Sequence, residues 1–260
     1  MSDSIQVKDL SFAYPDGQVV FSGINLKVEA GQILSLLGPN GIGKTTLLNC
    51  MFGLLAPKTG DIYLNGNGIN TIERNEVAKI ISYVPQTIRP SFDYTVLDYV
   101  VTGCAPKIGL FKKPEEKHYD AARQAIKKLG ITHLEQASYL NISGGERQQV
   151  LIARVLAQNA RFIFMDEPTA HLDYGNQLMI LRIMKELSEE GYGIIATTHN
   201  PDHVIMLGGM VGILDREKKF TVGSVEDVIN EDMLCKLYNA RLRVDYFPEI
   251  ERKACVAQRI

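Results

Sequence analysis

The stretch Gly38-Pro39-Asn40-Gly41-Ile42-Gly43-Lys44-Thr45-Thr46 constrains this 260-residue chain more than any other. Before it, Gln32-Ile33-Leu34-Ser35-Leu36-Leu37 is a short apolar run that reads as a buried strand. After it, Leu47-Leu48-Asn49-Cys50-Met51-Phe52 is a helix pattern closed by Gly53. Strand, glycine-rich loop and helix in that order are the context of a phosphate-binding loop. Gly38, Gly41 and Gly43 let the backbone curl until successive N–H groups point inward at an anion. A helix N-terminus adds about half a positive charge at the same place. Lys44 can then reach the β- and γ-phosphates of a nucleotide, and the Thr45 hydroxyl can ligate Mg²⁺. A glycine-rich turn with a chance lysine would need neither flank. The expectation is a site for a nucleoside triphosphate.

The rest of the composition narrows the field. With 45% hydrophobic and 22% charged residues the chain is ordinary for a soluble globular protein. It is long enough to bury a substantial core. A formal charge of -2 leaves no basic footprint for nucleic acid or for an anionic bilayer. Cys50, Cys104, Cys235 and Cys255 are far apart with no C-x-x-C pair, so reduced intracellular thiols are expected instead of a disulfide framework or zinc site. Met1-Ser2-Asp3-Ser4 lacks the basic and apolar regions of a signal peptide. The run Val204 to Leu214 is too short to span a bilayer and contains three glycines. Work at a membrane would therefore require attachment through another protein.

Short strand-like runs open the chain: Ile5-Gln6-Val7, Val19-Val20-Phe21 and Ile24 to Val28, with Pro15-Asp16-Gly17 as a turn, predict an antiparallel β layer. Asp61 to Leu64 before Asn65-Gly66 adds a strand and turn. A short helix over Arg74 to Lys79 and a buried strand over Ile80 to Val84 follow. From about 87 to 160 the pattern is helical. Thr95 to Val101 is one helix. Pro114 to Leu129 is another, with Pro114 in its first turn, and Thr132-His133-Leu134-Glu135 has capping-box spacing for a third. The basic segment 106–118 reads as a solvated surface. Strands return at Phe162 to Met165, Gly193 to Ala196 and Val211 to Leu214, separated by a helix striped with Ile180, Ile183, Met184 and Leu187. Short helices from Ser224 and Glu231 and a last strand, Leu242 to Phe247, complete the pattern. These boundaries predict one domain over 1–260: a catalytic core of 1–86 with 161–260, and a helical subdomain over 87–160.

Two further segments carry chemistry. Phe162-Ile163-Phe164-Met165-Asp166-Glu167 is an apolar strand ending in two carboxylates, one suited to a magnesium shell and its neighbour to polarising a water beside a γ-phosphate. In Asn141-Ile142-Ser143-Gly144-Gly145-Glu146, Ser143 and Glu146 have the spacing of a reciprocal helix cap. Gly144 and Gly145 expose N–H groups at that helix start, a second anion cradle.

The ordered set of motifs resembles the ATP-binding cassette (ABC) ATPases over nearly the whole chain. Tyr14 stands where the family's aromatic stacks on adenine, Gly38 to Thr46 as Walker A and Gln86 as the Q-loop glutamine. Ser143-Gly144-Gly145 stands as the signature, Asp166-Glu167 as Walker B, His171-Leu172-Asp173 as the D-loop and His199 as the switch histidine. The resemblance implies an α/β fold, a P-loop NTPase (RecA-like) core with an N-terminal antiparallel β layer and an inserted α-helical subdomain. It implies ATP and Mg²⁺, with Glu167 as general base, His199 and Gln86 aligning water and phosphate, and Thr45, Gln86 and Asp166 around the metal. It further implies a homodimer closed head to tail over two ATPs, in which Ser143, Gly144 and Gly145 of one chain meet the γ-phosphate held by Lys44 of the other.

A single cassette without a fused span resembles the ATPase of an importer, docked on separate permease subunits at the cytoplasmic face of the inner membrane and served indirectly by a substrate-binding protein. Tyr94 to Gly103 and His171 to Gln177 resemble the branch that imports iron–siderophores, haem, cobalamin and related chelates. Molybdate or tungstate, cobalamin, and zinc or manganese are alternative cargoes. A soluble cassette without transport, such as one for iron–sulfur assembly, is the alternative of another class. Two residues depart from the family pattern: Glu146 replaces the usual glutamine, and Cys104 follows Gly103 where the branch often has arginine.

Overall fold

Alternating apolar and polar side chains make the first two segments a long hairpin. In the computed structural model, which describes residues 3–86, 92–108 and 112–258, β1 (Ser4–Ala13) pairs antiparallel with β2 (Val19–Glu29), from Ser4↔Glu29 to Ala13↔Val19. Ile5, Val7, Leu10 and Phe12 are buried with Phe21, Ile24, Leu26 and Val28. Register shifts after Val7, Leu10 and Phe12 break the ladder, and such bulges increase strand twist. What reads in sequence as several short strands is thus two long, bulged ones. Next come β3 (Ile33–Leu37), α1 (Lys44–Met51), β4 (Thr59–Leu64) and β5 (Asn67–Gly68). Strand β4 returns antiparallel to β1, giving a layer in the order β2-β1-β4-β5.

The chain divides into two compact units, Met1–Ile72 with Met184–Ile260, and Glu73–Ile183. The second contains α2 (Arg74–Ile80), β6 (Ile81–Val84), α3 (Val96–Val101), α4 (Glu116–Lys128), α5 (Gly144–Gln158) and β7 (Phe162–Met165). It also holds the start of α6 (Tyr174–Glu189). Strands β6 and β7 run parallel from Ile81↔Phe162 to Val84↔Met165. Helices α3, α4 and α5 pack through Val96, Val100, Ala122, Ile126, Val150 and Ile152, all fully buried. Residues 87–91, at the expected start of the helical region, and 109–111 of the basic stretch lie outside the described residues.

Two expectations here need correction. Helix α4 starts at Glu116, beyond Pro114, and its entry is fixed by Glu115 N–H donating to His118 Nδ1 at 2.9 Å. Thr132–Leu134 makes only a short 3₁₀ turn with no side-chain cap. The carbonyls that follow it are committed elsewhere: Ala137 accepts from Val96 N–H at 2.9 Å and Glu135 from Leu97 N–H at 3.0 Å. They satisfy the first-turn donors of α3, which its own turn cannot reach.

The first unit resumes with β8 (Gly193–Thr198), α7 (Pro201–Leu207), β9 (Met210–Leu214), β10 (Phe220–Ser224), α8 (Val225–Val228) and α9 (Glu231–Tyr238). Within it the strands run β10-β9-β3-β8, with β3 parallel to both neighbours and β10 antiparallel to β9. Strand β3, buried at every residue, is the centre of that group. Leu37, Val204, Val211, Ile213, Val225, Ile229, Leu234 and Leu237 form one apolar cluster of this unit. The last strand expected from sequence, β11 (Leu242–Phe247), has a partner the sequence reading missed, β12 (Arg252–Ala257). Its charged opening, Arg252-Lys253, hides the strand pattern. Arg252 forks onto Asp202 of α7 at 2.8 and 3.2 Å, which ties the hairpin down.

One close approach inside the second unit gives a stability prediction. A Cβ at Gly103 would lie 2.0 Å from the Arg154 carbonyl oxygen of α5. The obstacle is helix backbone, which cannot step aside. Gly103→Ala should therefore cost about 1–3 kcal/mol, read as a lower urea midpoint. An unchanged midpoint would show that the two segments separate freely.

Candidate functional site

In the first unit the glycine-rich loop leaves the C-terminal end of β3. Gly38 N–H donates to the Thr198 carbonyl at 3.4 Å, and a Cβ at Gly38 would come within 2.7 Å of the Leu214 carbonyl oxygen. Gly43, at φ +117, sits where a Cβ would be 2.3 Å from Val20 Cγ1. Both positions therefore exclude side chains for packing reasons. No side chain caps α1 and no carboxylate lies in its first turn. A helix start without a nearby carboxylate suits an anion.

Lys44 is 5% exposed, and its ammonium donates to the carbonyls of Gly38 at 2.8 Å and Pro39 at 3.0 Å. A buried charge needs such partners, and phosphate oxygens could replace them. Asn40, Gly41 and Thr45 face solvent at the mouth of the loop, between half-buried Pro39 and buried Thr46. Tyr14 hydrogen-bonds through its hydroxyl to Thr46 Oγ1 at 3.1 Å and meets Phe12 edge-on. The residue is 42% exposed. The Leu37↔Thr198 register brings exposed His199 to the same strand end as Gly38. Tyr238, which the sequence reading did not select, donates its hydroxyl to the His199 carbonyl at 2.8 Å.

In the second unit, Val84 pairs with Met165 and its carbonyl accepts Asp166 N–H at 2.9 Å. Gln86 and Asp166 therefore leave the same end of the β6–β7 ladder. Asp166 is buried and receives the Tyr83 hydroxyl at a long 3.5 Å. Burial, and then the Asp166 charge, push the Tyr83 phenol well above its usual range, so it stays a neutral donor. Glu167 has φ +45 and His171 φ +61, both in the left-handed region. For residues with a Cβ that conformation costs about 1–3 kcal/mol each and gathers at functional sites. Thr45, Gln86 and Asp166 offer hard oxygen donors of the kind Mg²⁺ takes. Among the described residues no three His, Cys, Asp or Glu gather to hold a metal by themselves. Mg²⁺ is usually held by one or two protein oxygens together with phosphate oxygens and water.

The start of α5 is capped reciprocally. Ser143 Oγ accepts Glu146 N–H at 3.3 Å, while Glu146 Oε2 accepts the Ser143 N–H at 2.8 Å and its hydroxyl at 2.7 Å. Those two donors, the hydroxyl foremost, hold the Glu146 carboxyl below the ordinary carboxylate range. Gly144 and Gly145 N–H groups precede any intrahelical acceptor. Asp173 lies just before α6 and accepts Asn176 N–H at 2.9 Å and the Asn176 side-chain amide at 2.7 Å. Asn176 and Tyr83 were also missed in the sequence. The D-x-x-N spacing could have revealed the cap, but nothing local reveals what Tyr83 or the Asn176 amide meets.

Comparison with known proteins places these features. Residues 21–170 match the family model described as ABC transporter. The chain is 33% identical over 240 residues to the molybdate import ATP-binding protein MolC of Haemophilus influenzae, covering 92% of this chain and 89% of that one. It is 34% identical over 240 residues to a Helicobacter pylori protein described as an iron chelatin transport ATP-binding protein, with 92% and 94% covered. A solved metal-chelate type ABC transporter in an inward-facing conformation superposes with a TM-score of 0.88 at 30% identity, over 99% of this chain and 98% of that chain. The expected fold class, an α/β phosphate-loop core with a β layer and helical insertion, holds.

The Glu146 cap has a pH signature. A carboxyl held low in the folded state stabilises fully above the ordinary carboxylate range, and that contribution is lost as pH falls through the lowered value. Glu146→Ala should lower the melting temperature at neutral pH and leave a shallower loss of stability on acidification. Parallel acid limbs for the two proteins would remove Glu146 from this role.

Proposed function

The chain belongs to the ABC transporter family as an ATP-binding, ATP-hydrolysing subunit, and from that premise we propose that it energises import of an iron chelate or related metal-containing cargo through a separate permease. The observation that carries the cargo class is the near-complete superposition on a metal-chelate type transporter. The similarity to a molybdate import protein at nearly the same identity supports a second reading, molybdate or tungstate. Among the described residues no helix is long and apolar enough to cross a membrane. Attachment to the inner membrane would then come from permease subunits at its cytoplasmic face, with a substrate-binding protein acting only indirectly. A cleft of about 590 Å³ in the helical unit, whose lining includes Tyr94, Val101, Ile108 and Tyr119 with the charged Asp98 and Lys112, is a mainly apolar seat suited to a permease segment. It belongs to the stretch 87–160 that we take as the helical subdomain.

In this reading Tyr14 stacks on adenine, and the Gly38–Thr46 loop with Lys44 binds the β- and γ-phosphates. Bound Mg²⁺ supplies neutralisation of phosphate charge; Thr45, Gln86 and Asp166 would hold it. Two copies close head to tail, so that Ser143, Gly144 and Gly145 of one chain take the γ-phosphate held by Lys44 of the other, with Asp173 at the seam. Gln86 and His199 orient water and phosphate. Glu167 accepts the proton of a water whose oxygen attacks the γ-phosphorus as the bond to ADP breaks.

Glu167→Gln keeps the shape and removes the proton acceptor, so turnover should fall by about 10²–10⁴-fold while ATP binding survives. A dimer should then accumulate in Mg-ATP on size-exclusion chromatography; near-normal hydrolysis would exclude Glu167 as the base. The transport claim has its own test. The chain should ignore protein-free vesicles at physiological salt and pellet with membranes only when its permease is co-expressed. ATPase activity of the reconstituted complex should rise with iron chelates, and a rise with molybdate alone would select the second reading.

A further inference from the structure

We propose that Asn176 is a positioning residue for the anion cradle at the start of α5: its side-chain amide, clamped by Asp173, lies on Gly145 and fixes where the Gly144 and Gly145 N–H groups point. The role assigned to those N–H groups rests on the sandwich reading above.

The contact is read from the space at Gly145. A Cβ built there would meet Asn176 Oδ1 at 2.4 Å, Cγ at 2.5 Å and Nδ2 at 2.7 Å. The three nearest atoms are thus one amide group, lying over the Gly145 Cα. Gly144 is different, since a Cβ there would meet only Leu172 Cδ2, at an ordinary 3.8 Å. Gly145 is buried and Gly144 exposed. The cradle therefore has one covered side, and the cover is Asn176.

The cover is itself held. Asp173 spends one carboxylate oxygen on Asn176 N–H, at 2.9 Å, and the other on Asn176 Nδ2, at 2.7 Å. With Nδ2 tied, the amide cannot rotate away from Gly145 without breaking a hydrogen bond to a charge, one of the stronger kinds. Both bonds draw the Asp173 carboxyl below its ordinary range, the backbone one first. On the other flank, Ser143 and Glu146 lock the turn reciprocally. Gly145 is thus pinned between a cap on its own helix and an amide from the start of α6. The absence of a side chain at Gly145 serves two ends: an anion can approach its N–H, and Asn176 can approach its Cα.

A purely local role for Asn176, as a residue in the first turn of α6, makes a different prediction. Asn176→Ala keeps the backbone N–H that Asp173 accepts, so the start of α6 survives, and what is lost is the amide, with its bond to Asp173 and its cover on Gly145. We would compare Asn176→Ala, Gly145→Ala and the double variant in the full chain carrying Glu167→Gln. Three readouts are needed: melting temperature, binding of a fluorescent ATP analogue to the single chain, and Mg-ATP-driven dimerisation by light scattering. Asn176→Ala should leave analogue binding within about twofold and weaken dimerisation roughly tenfold, the scale of one lost hydrogen bond. Gly145→Ala should lower the melting temperature, and adding Asn176→Ala should restore much of it by removing the three obstructing atoms, without restoring dimerisation. Additive melting shifts, or unchanged dimerisation in Asn176→Ala, would overturn the proposal. Should the Glu167→Gln parent itself fail to dimerise, the sandwich reading falls, and the melting cycle alone still decides whether Asn176 covers Gly145.

Discussion

Helix α1 begins with backbone donors that its own carbonyls cannot reach, its N-cap is a glycine that has no side chain to offer them, and its first turn carries no carboxylate. Much of the first unit follows from keeping that helix end fixed. Strand β3 delivers the loop from a fully buried position between β8 and β9. Val20 and the Leu214 carbonyl press so closely on Gly43 and Gly38 that no other residue fits. The Lys44 ammonium, buried where an unpaired charge would be costly, is held by two carbonyls of the loop it serves. A phosphate arriving there would exchange neutral acceptors for charged ones, and charge-assisted hydrogen bonds are the stronger.

Helix α5 meets the same problem at its N-terminus in another way. Ser143 and Glu146 satisfy two of the donors reciprocally, which stiffens the turn and leaves Gly144 and Gly145 as the open pair. One cradle is thus shaped by burial of the strand before it, the other by a local cap with the Asn176 amide pressed against it. The first offers an anion a loop and a lysine. The second offers few donors and suits a ligand already held by another surface.

The carboxylates after β7 are placed by backbone more than by rotamer. Phe162, Ile163, Phe164 and Met165 are fully buried, and Asp166 N–H is tied to Val84. The chain then turns through left-handed conformations at Glu167 and His171. That strain persists because the strand before it is immobilised by packing. The same fixed ladder sends Gln86 and Asp166 out at one end, so positions far apart in sequence share one edge.

Much of this protein was legible in its sequence because the signals are local. The phosphate loop with its two flanks, the apolar strand before Asp166, the stripe on α6 and the reciprocal spacing of Ser143 and Glu146 each follow from spacing within a few residues, and backbone sterics and helix-end chemistry act over that range. The tertiary structure decided the rest. It turned Thr132 to Glu135 from a helix start into a turn, because nearby carbonyls were needed to satisfy α3. It found a partner for β11 in a segment whose opening charges find theirs only in the fold, Arg252 on Asp202 and Lys253 on Glu226. It also set Tyr83 on Asp166, Tyr238 on His199 and Asn176 on Gly145. Those contacts join residues that the chain separates, and packing, not sequence spacing, determines which of them meet.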